Sequence, residues 1–295
     1  MARGSVQVER FPTAASFLLV AEPFLLRSEV ENTLILGVAH GLVSGSVAAE
    51  VPPYFAVVRE GAETCVAAFQ TLAAKLGVTR ALRPDALMPL ALDVYATCSA
   101  VRSVVGPEPS VGALAAHLAA LGDARARRSM AQRIHQLRAV DSRNQLAPGR
   151  LRPAHATETD LLATWASDFL QVVGDPADPV EAVRERLTRS QLFVWDHEEP
   201  VSMAAWTGKT PTGVRVGFVY TPPARRRRGY ATAAVASLSQ LLLDQGNRYC
   251  CLYTDVANPT SNAIYHRIGY RPVCDAAVYS LADRRGVGAG DAPLI

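Results

Sequence analysis

The segment Val219-Tyr220-Thr221-Pro222-Pro223-Ala224-Arg225-Arg226-Arg227-Arg228-Gly229-Tyr230-Ala231-Thr232 holds the residue types best suited to chemistry. An apolar run reads as a strand, two prolines stop it, and a basic loop turns into a helix whose first residues are mostly small. A helix N-terminus presents unpaired backbone N–H groups and the positive end of its dipole, so such a turn accepts phosphate oxygens. Gly229 and Ala231 have almost no side chain and let an anion come close to the backbone. The arginines add long-range charge and forked donors. Behind the loop, Val235, Leu238 and Leu242 share one helical face that can anchor the helix to a sheet. Taken alone, an arginine run before a helix is equally a solvated basic loop or a nucleic-acid patch.

The spacing Arg226-x-x-Gly229-x-Ala231 resembles the pyrophosphate loop of the GNAT superfamily of acetyl-coenzyme A-dependent N-acetyltransferases. Downstream, Asn258-Pro259-Thr260-Ser261-Asn262-Ala263-Ile264-Tyr265-His266-Arg267-Ile268-Gly269-Tyr270 resembles that family's second signature. It has an asparagine after a strand, then a helix that bears a tyrosine and ends in glycine and an aromatic. Both signatures stand in the family's order, and the resemblance covers residues 150–280. It implies a GNAT-like α/β fold with a mixed sheet in the second half and acetyl-coenzyme A as cosubstrate. It implies no metal, and an amine acceptor that attacks directly in a ternary complex. The pantetheine arm would add to the strand end at Val219, Tyr220 and Thr221, where a backbone N–H would polarise the thioester carbonyl. Arg226, Arg227, Arg228, Gly229, Tyr230, Ala231 and Thr232 would hold the pyrophosphate, mainly through main-chain amides. Asn258 would contact the cofactor arm. Tyr265 would protonate the departing thiolate as general acid; beside Ile264 and Ile268, it reads alternatively as a core tyrosine with a satisfied hydroxyl. The family's usual base has no counterpart, because Val214–Thr221 contains no acid. Asp255 is the carboxylate nearest the second signature, and its alternative role is to cap the turn leading to Asn258. A non-catalytic coenzyme A-binding or sensing module is the alternative to an enzyme.

Elements must position these residues. The second half is expected to run as a strand (150–154), a helix capped by Thr157 with Asp160 closing a capping box, and a helix near 179–189. A hairpin follows from Gln191–Asp196 and Val201–Thr207, then a strand over Val214–Thr221 and a helix over Tyr230–Gln245. A strand at Tyr249–Thr254, a helix at Ser261–Ile268 closed by Gly269, and a strand near Pro272–Ser280 complete it. The acceptor would be chosen by the helices and loops around Trp165, Trp195 and Trp206.

The first half echoes the second. Tyr54–Arg59 and Thr64–Thr71 read as the same hairpin, with Phe55 opposite Phe193 and Ala67-Ala68-Phe69 opposite Ala204-Ala205-Trp206. Leu34-Ile35-Leu36-Gly37 matches Gln171-Val172-Val173-Gly174 as a helix end closed by glycine, and Pro84 falls opposite Pro222. Yet Pro84–Pro89 has neither the arginines nor Gly-x-Ala, and Pro109–Gly122 has no tyrosine. The expectation is a tandem pair: a degenerate GNAT-like or other α/β domain over 1–140 and the acetyltransferase domain over 149–285. A basic strand at Met130–Val140 and a polar Asp141–Gly149 divide them. The Gly-rich tail after Arg285 is expected to be disordered.

Composition sets the outer bounds. The chain has 295 residues, 49% hydrophobic and 19% charged, enough for cores in about two domains and too little charge for disorder. A net charge of +3 does not by itself imply a nucleic-acid or membrane-surface protein. Five cysteines without a CxxC pair support neither a zinc ribbon nor a disulfide framework. The N-terminus lacks a signal-peptide pattern, and no apolar run approaches the roughly 20 residues of a membrane helix. A cytoplasmic protein is expected, with no nucleic acid or membrane as partner, and a homodimer is one assembly open to it.

Overall fold

The computed structural model describes residues 6–98, 100–141, 147–174 and 177–283. Residues 142–146 of the expected divide, and the tail after Arg285, lie outside the described residues. The chain forms two compact units. Among the described residues, the first holds 6–134, Gly208–Thr210 and 273–283; the second holds His135–Thr207 and Pro211–Pro272.

In the first unit the elements are β1 (Val6–Phe11), α1 (Ala14–Leu26), α2 (Thr33–Ser44), β2 (Tyr54–Glu60), β3 (Glu63–Leu72), β4 (Lys75–Val78), α3 (Leu87–Thr97), β5 (Ser103–Pro107), α4 (Ser110–Leu121) and β6 (Ala124–Leu137). The second unit follows with β7 (Arg150–Pro153), α5 (Thr159–Val173), α6 (Pro179–Thr188), β8 (Leu192–His197), β9 (Glu199–Thr207), β10 (Gly213–Tyr220), α7 (Tyr230–Asp244), β11 (Tyr249–Asp255) and α8 (Pro259–Ile268). The last strand, β12 (Arg271–Asp283), belongs from Val273 onward to the first unit. Both units are mixed α/β. Strands of the first run in the order β1-β2-β3-β4-β5-β12-β6, since β12 pairs antiparallel with β5 from Ala276 to Ser280. Those of the second run β11-β10-β9-β8-β7. Each sheet buries both faces. In the first unit Phe55, Val57 and Ala67 pack under α1 and α2, while Ala56, Val58 and Ala68 pack under α3 and α4. In the second, Val194, Met203 and Ala205 pack under α5 and α6, and Phe193, Trp195 and Ala204 under α7.

These faces correct the expected repeat register. Phe55 lies under the first helix pair of its unit and Phe193 under the later helix of its own, so the two occupy opposite faces; Ala67 and Ala204 are likewise opposed. Gly61 and Ala62 separate the last pair Glu60↔Glu63, and Glu198 alone separates His197↔Glu199. Counted from those turns, Phe55 matches Leu192 and Ala67 matches Met203, so the expected pairing is one residue out in both strands, and a one-residue slip moves every side chain to the other face. Counted from the turn, both hairpins carry a bulge at the same place, between Val58 and Arg59 and between Trp195 and Asp196.

Three further expectations change. Gly174 is the left-handed C-cap of α5, but Gly37 sits inside α2, which ends at Gly45. Gly37 is glycine for space: a Cβ there would stand 2.7 Å from the Gly208 Cα. The helix start at Thr157 is replaced by a 3-10 turn over Ala156–Glu158, capped by His155, before α5 begins at Thr159. Glu158 accepts the His155 amide at 2.8 Å and is held by Arg152, which also reaches Asp196 at 2.5 Å. The basic strand runs over Ala124–Leu137 rather than to Val140.

Candidate active site

β10 and β11 are parallel over only three pairs, Gly213↔Tyr249, Val214↔Cys250 and Arg215↔Cys251, although β10 continues to Tyr220 and β11 to Asp255. The strands part beyond Arg215. At Gly217 a Cβ would meet no heavy atom within 4 Å. Beyond Arg215 the β10 main chain therefore runs to Val219, Tyr220 and Thr221 without its β11 ladder, which leaves an edge where an extended ligand can add as a strand. The end of β10 is pinned from β9. The buried Ser202 hydroxyl donates to the Tyr220 carbonyl at 3.0 Å and pairs with Thr221 Oγ1 at 2.8 Å.

Past Thr221 the chain makes a 3-10 turn over Pro223–Arg225 and then the loop Arg226–Gly229. Arg227 and Gly229 are both left-handed, at φ 62° and 81°. Such a backbone turns successive N–H groups toward one side and forms an anion-binding concavity. The first backbone bond of α7 is Ala233 to the Gly229 carbonyl at 2.9 Å. Among the described residues, the amides from Arg227 through Thr232 donate to no backbone or side-chain acceptor. Six donors in a row at a helix N-terminus make a phosphate-sized site without any side chain.

The arginines divide their work. Arg225 pairs with Glu199. Arg226 donates its Nε to the Thr221 carbonyl at 3.0 Å and lies 5.7 Å from the Tyr220 ring centroid, so its side chain braces the loop. Arg227 and Arg228 are exposed, and among the described residues neither makes an ion pair. Tyr230 is buried, with its hydroxyl 2.9 Å from His197 Nδ1, and Thr232 is buried in the first turn.

At the second signature, Asn258 caps α8 through its Oδ1, which accepts the Ser261 amide at 3.0 Å. Asp255 is exposed at the end of β11, and its Oδ1 accepts the Ala257 amide at 2.8 Å, the local turn bond expected of an Asx residue. Tyr265 is half-buried on α8 and meets Tyr270 edge-on at 6.0 Å. Its hydroxyl makes no hydrogen bond among the described residues, unlike the fully buried Tyr270, which pairs with Ser239 at 2.8 Å. Burial pushes the Tyr265 phenol up to about 12, so it stays a proton donor.

Of the three tryptophans, only Trp165 is beside the end of β10, 6.5 Å from Tyr220; Trp195 and Trp206 pack on the α7 face. Sequence reasoning missed Asp168, whose Oδ2 accepts the Tyr220 hydroxyl at 2.5 Å. Its only signal in the sequence was its place three residues after Trp165 on an amphipathic helix. Among the described residues no cluster of His, Cys, Asp and Glu is suited to a metal, and no helix is long and apolar enough to cross a membrane.

Residues 195–279 match the family model of FR47-like protein, and no curated protein matches the chain. Solved structures resemble it over nearly its whole length. A GCN5-related N-acetyltransferase from Sphaerobacter thermophilus is 14% identical with a TM-score of 0.62, over 96% of this chain and 98% of that one. A tandem GNAT protein from the clavulanic acid biosynthesis pathway is 14% identical with a TM-score of 0.57, over 97% and 100%. A GNAT-family acetyltransferase from Colwellia psychrerythraea is 10% identical with a TM-score of 0.54, over 94% and 99%. At these identities the likeness is one of fold.

Proposed function

We propose that this chain, whose fold is that of the GNAT acetyltransferases, transfers an acetyl group from acetyl-coenzyme A to an amine in its second unit. The observation that carries the reading is the run of unpaired amides from Arg227 to Thr232, set just past the point where β10 and β11 part. Those amides would take the pyrophosphate oxygens, with Arg227 and Arg228 supplying outer charge. The pantetheine arm would lie along the free edge of β10, with Asn258 beside it. A backbone N–H among Val219, Tyr220 and Thr221 would face the thioester oxygen, where negative charge grows during attack.

In the ternary complex the amine nitrogen attacks the thioester carbon, the C–S bond breaks, and the sulfur leaves as a thiolate. Tyr265, protonated and without an internal partner for its hydroxyl, is the proposed donor to that sulfur. The amine's proton goes to water or to the exposed carboxylate of Asp255, whose second oxygen is not used in the turn bond. The test is acetyl-coenzyme A consumption by the purified chain with a panel of amines, with acetylated product identified by mass. Turnover supports the enzyme; tight binding of acetyl-coenzyme A with no turnover on any amine replaces it with a sensing module.

A further inference from the structure

The acceptor can be narrowed, in an inference that rests on the acetyltransferase reading above. β10 is bulged: its pairing with β9 shifts between Gly217 and Tyr220, and Phe218 is left-handed at φ 54°. Before the bulge, Val214 and Val216 pack under α7; after it, Phe218 and Tyr220 pack under α5 and α6. A bulge re-aims the side chains that follow. Here it turns Tyr220 beneath Trp165, and the Tyr220 hydroxyl donates to Asp168 at 2.5 Å. Trp165 and Asp168 are three apart on α5 and so share a face. The tyrosine is 8% exposed, whereas Asp168 is exposed on the helix surface.

A phenol orients a carboxylate without cancelling its charge. Burial, and then the bond to Asp168, raise the Tyr220 pKa, with Arg226 opposing them, so the hydroxyl remains a donor. No ion pair among the described residues uses that carboxylate. It stands a full tyrosine side chain away from the β10 main chain where the thioester would react. A cation bound there is therefore not the attacking nitrogen itself, but a second charge several bonds along the same molecule. The buried Trp165 indole backs the Tyr220 ring, 6.5 Å away, and so fixes the phenol that holds the carboxylate.

We propose that Asp168, held by Tyr220 beside Trp165, is an acceptor subsite for a second positive charge, so that the preferred substrate is a diamine or another amine bearing a distant cationic group. The experiment compares kcat/KM for diaminobutane and for butylamine, which share a carbon chain and differ in one ammonium. The wild-type protein should prefer the diamine by about tenfold or more, the scale of one charged hydrogen bond. Asp168→Asn should collapse that ratio toward one through a higher diamine KM, while the Kd of acetyl-coenzyme A stays the same and reports a folded unit. Asp168→Glu should keep part of the preference, and Tyr220→Phe, which frees the carboxylate without removing it, should lose less than Asp168→Asn. No preference in the wild type, or one that survives Asp168→Asn, overturns the subsite. No turnover with either amine or any other, with acetyl-coenzyme A still bound, overturns the acetyltransferase reading and the subsite with it.

Discussion

In both units a parallel strand pair is held by three residue pairs and followed by a proline-led 3-10 turn: β4 with β5 in the first, β10 with β11 in the second. Beyond the third pair they diverge. In the first unit a Cβ on Gly106 would stand 2.3 Å from the Val78 carbonyl oxygen, so the strands remain in contact and only glycine fits. The chain then fills the place itself. Arg80 Nη1 donates to the Glu108 carbonyl at 2.9 Å, its Nε to Glu31 at 2.8 Å, and the Ala81 amide to Ser110 Oγ at 2.9 Å. In the second unit Gly217 faces open space. The turns differ as well. Pro84–Ala86 runs straight into α3, whereas four residues, Arg226 to Gly229, separate Pro223–Arg225 from α7. One skeleton can thus be open or shut, and what decides is whether side chains and a tight glycine take the space a ligand would need.

The largest effect expected is on chemistry in the open unit. Tyr265→Phe should lower kcat by roughly 10²–10⁴, the range of a general acid, with acetyl-coenzyme A affinity nearly unchanged. Because burial favours the neutral phenol, its proton is lost only as pH rises through about 12, so single-turnover rates should show no fall assignable to Tyr265 below that value. A variant with wild-type kcat under chemistry-limited conditions, or one that merely melts earlier, makes Tyr265 a packing residue instead.

Next comes the loop that the first unit lacks. Gly229 is left-handed with Ala147 3.6 Å from where its Cβ would lie, so Gly229→Leu strains the backbone and crowds the amides together. Acetyl-coenzyme A should bind about ten- to a hundredfold more weakly, as read by calorimetry. Unchanged affinity would mean that the loop is only a basic surface turn.

A matched pair of glycine variants sharpens the comparison. Gly106→Ala overpacks a closed strand pair and should cost about 1–3 kcal/mol of stability by chemical denaturation. Gly217→Ala should leave stability unchanged or slightly raised and weaken acetyl-coenzyme A binding, because the methyl enters the space where the arm would lie. Equal costs for both would erase the distinction between shut and open.

The smallest expected effect concerns the seating of α5. Arg152 holds the Glu158 carboxyl below its ordinary range, aided by the His155 amide and opposed by burial. The stability this contributes is present above the unfolded carboxylate pKa and is lost as pH falls through the lowered value. Glu158→Gln should cost about 1 kcal/mol near neutrality and flatten that acid dependence, measured as Tm against pH.

Much of this was legible in the residues. The loop from Arg226 to Thr232, the α8 signature and most element bounds follow from prolines, glycines and apolar spacing, which act locally. What escaped was set by tertiary detail. The expected strand over Val214–Thr221 carries no sign of the bulge at Phe218, which divides Val214 and Val216 from Phe218 and Tyr220 between two helix layers and brings Tyr220 to Asp168. Matching Phe55 to Phe193 by letter displaced the repeat register by one residue, since neighbouring positions of both strands are equally apolar, and Gly37 resembled a helix end because a glycine packed against backbone leaves the same letter as a C-cap. The shut cleft of the first unit was legible only as missing arginines; that Arg80 and Ser110 fill it depends on contacts across 28 and 29 residues.

The central claim is that one unit binds acetyl-coenzyme A and the other is closed to it. Calorimetric titration of the full chain with acetyl-coenzyme A tests this directly. The account predicts one site per chain, weakened in Gly229→Leu and retained in Arg80→Ala. Two sites per chain, or one site that survives Gly229→Leu undiminished, would contradict it.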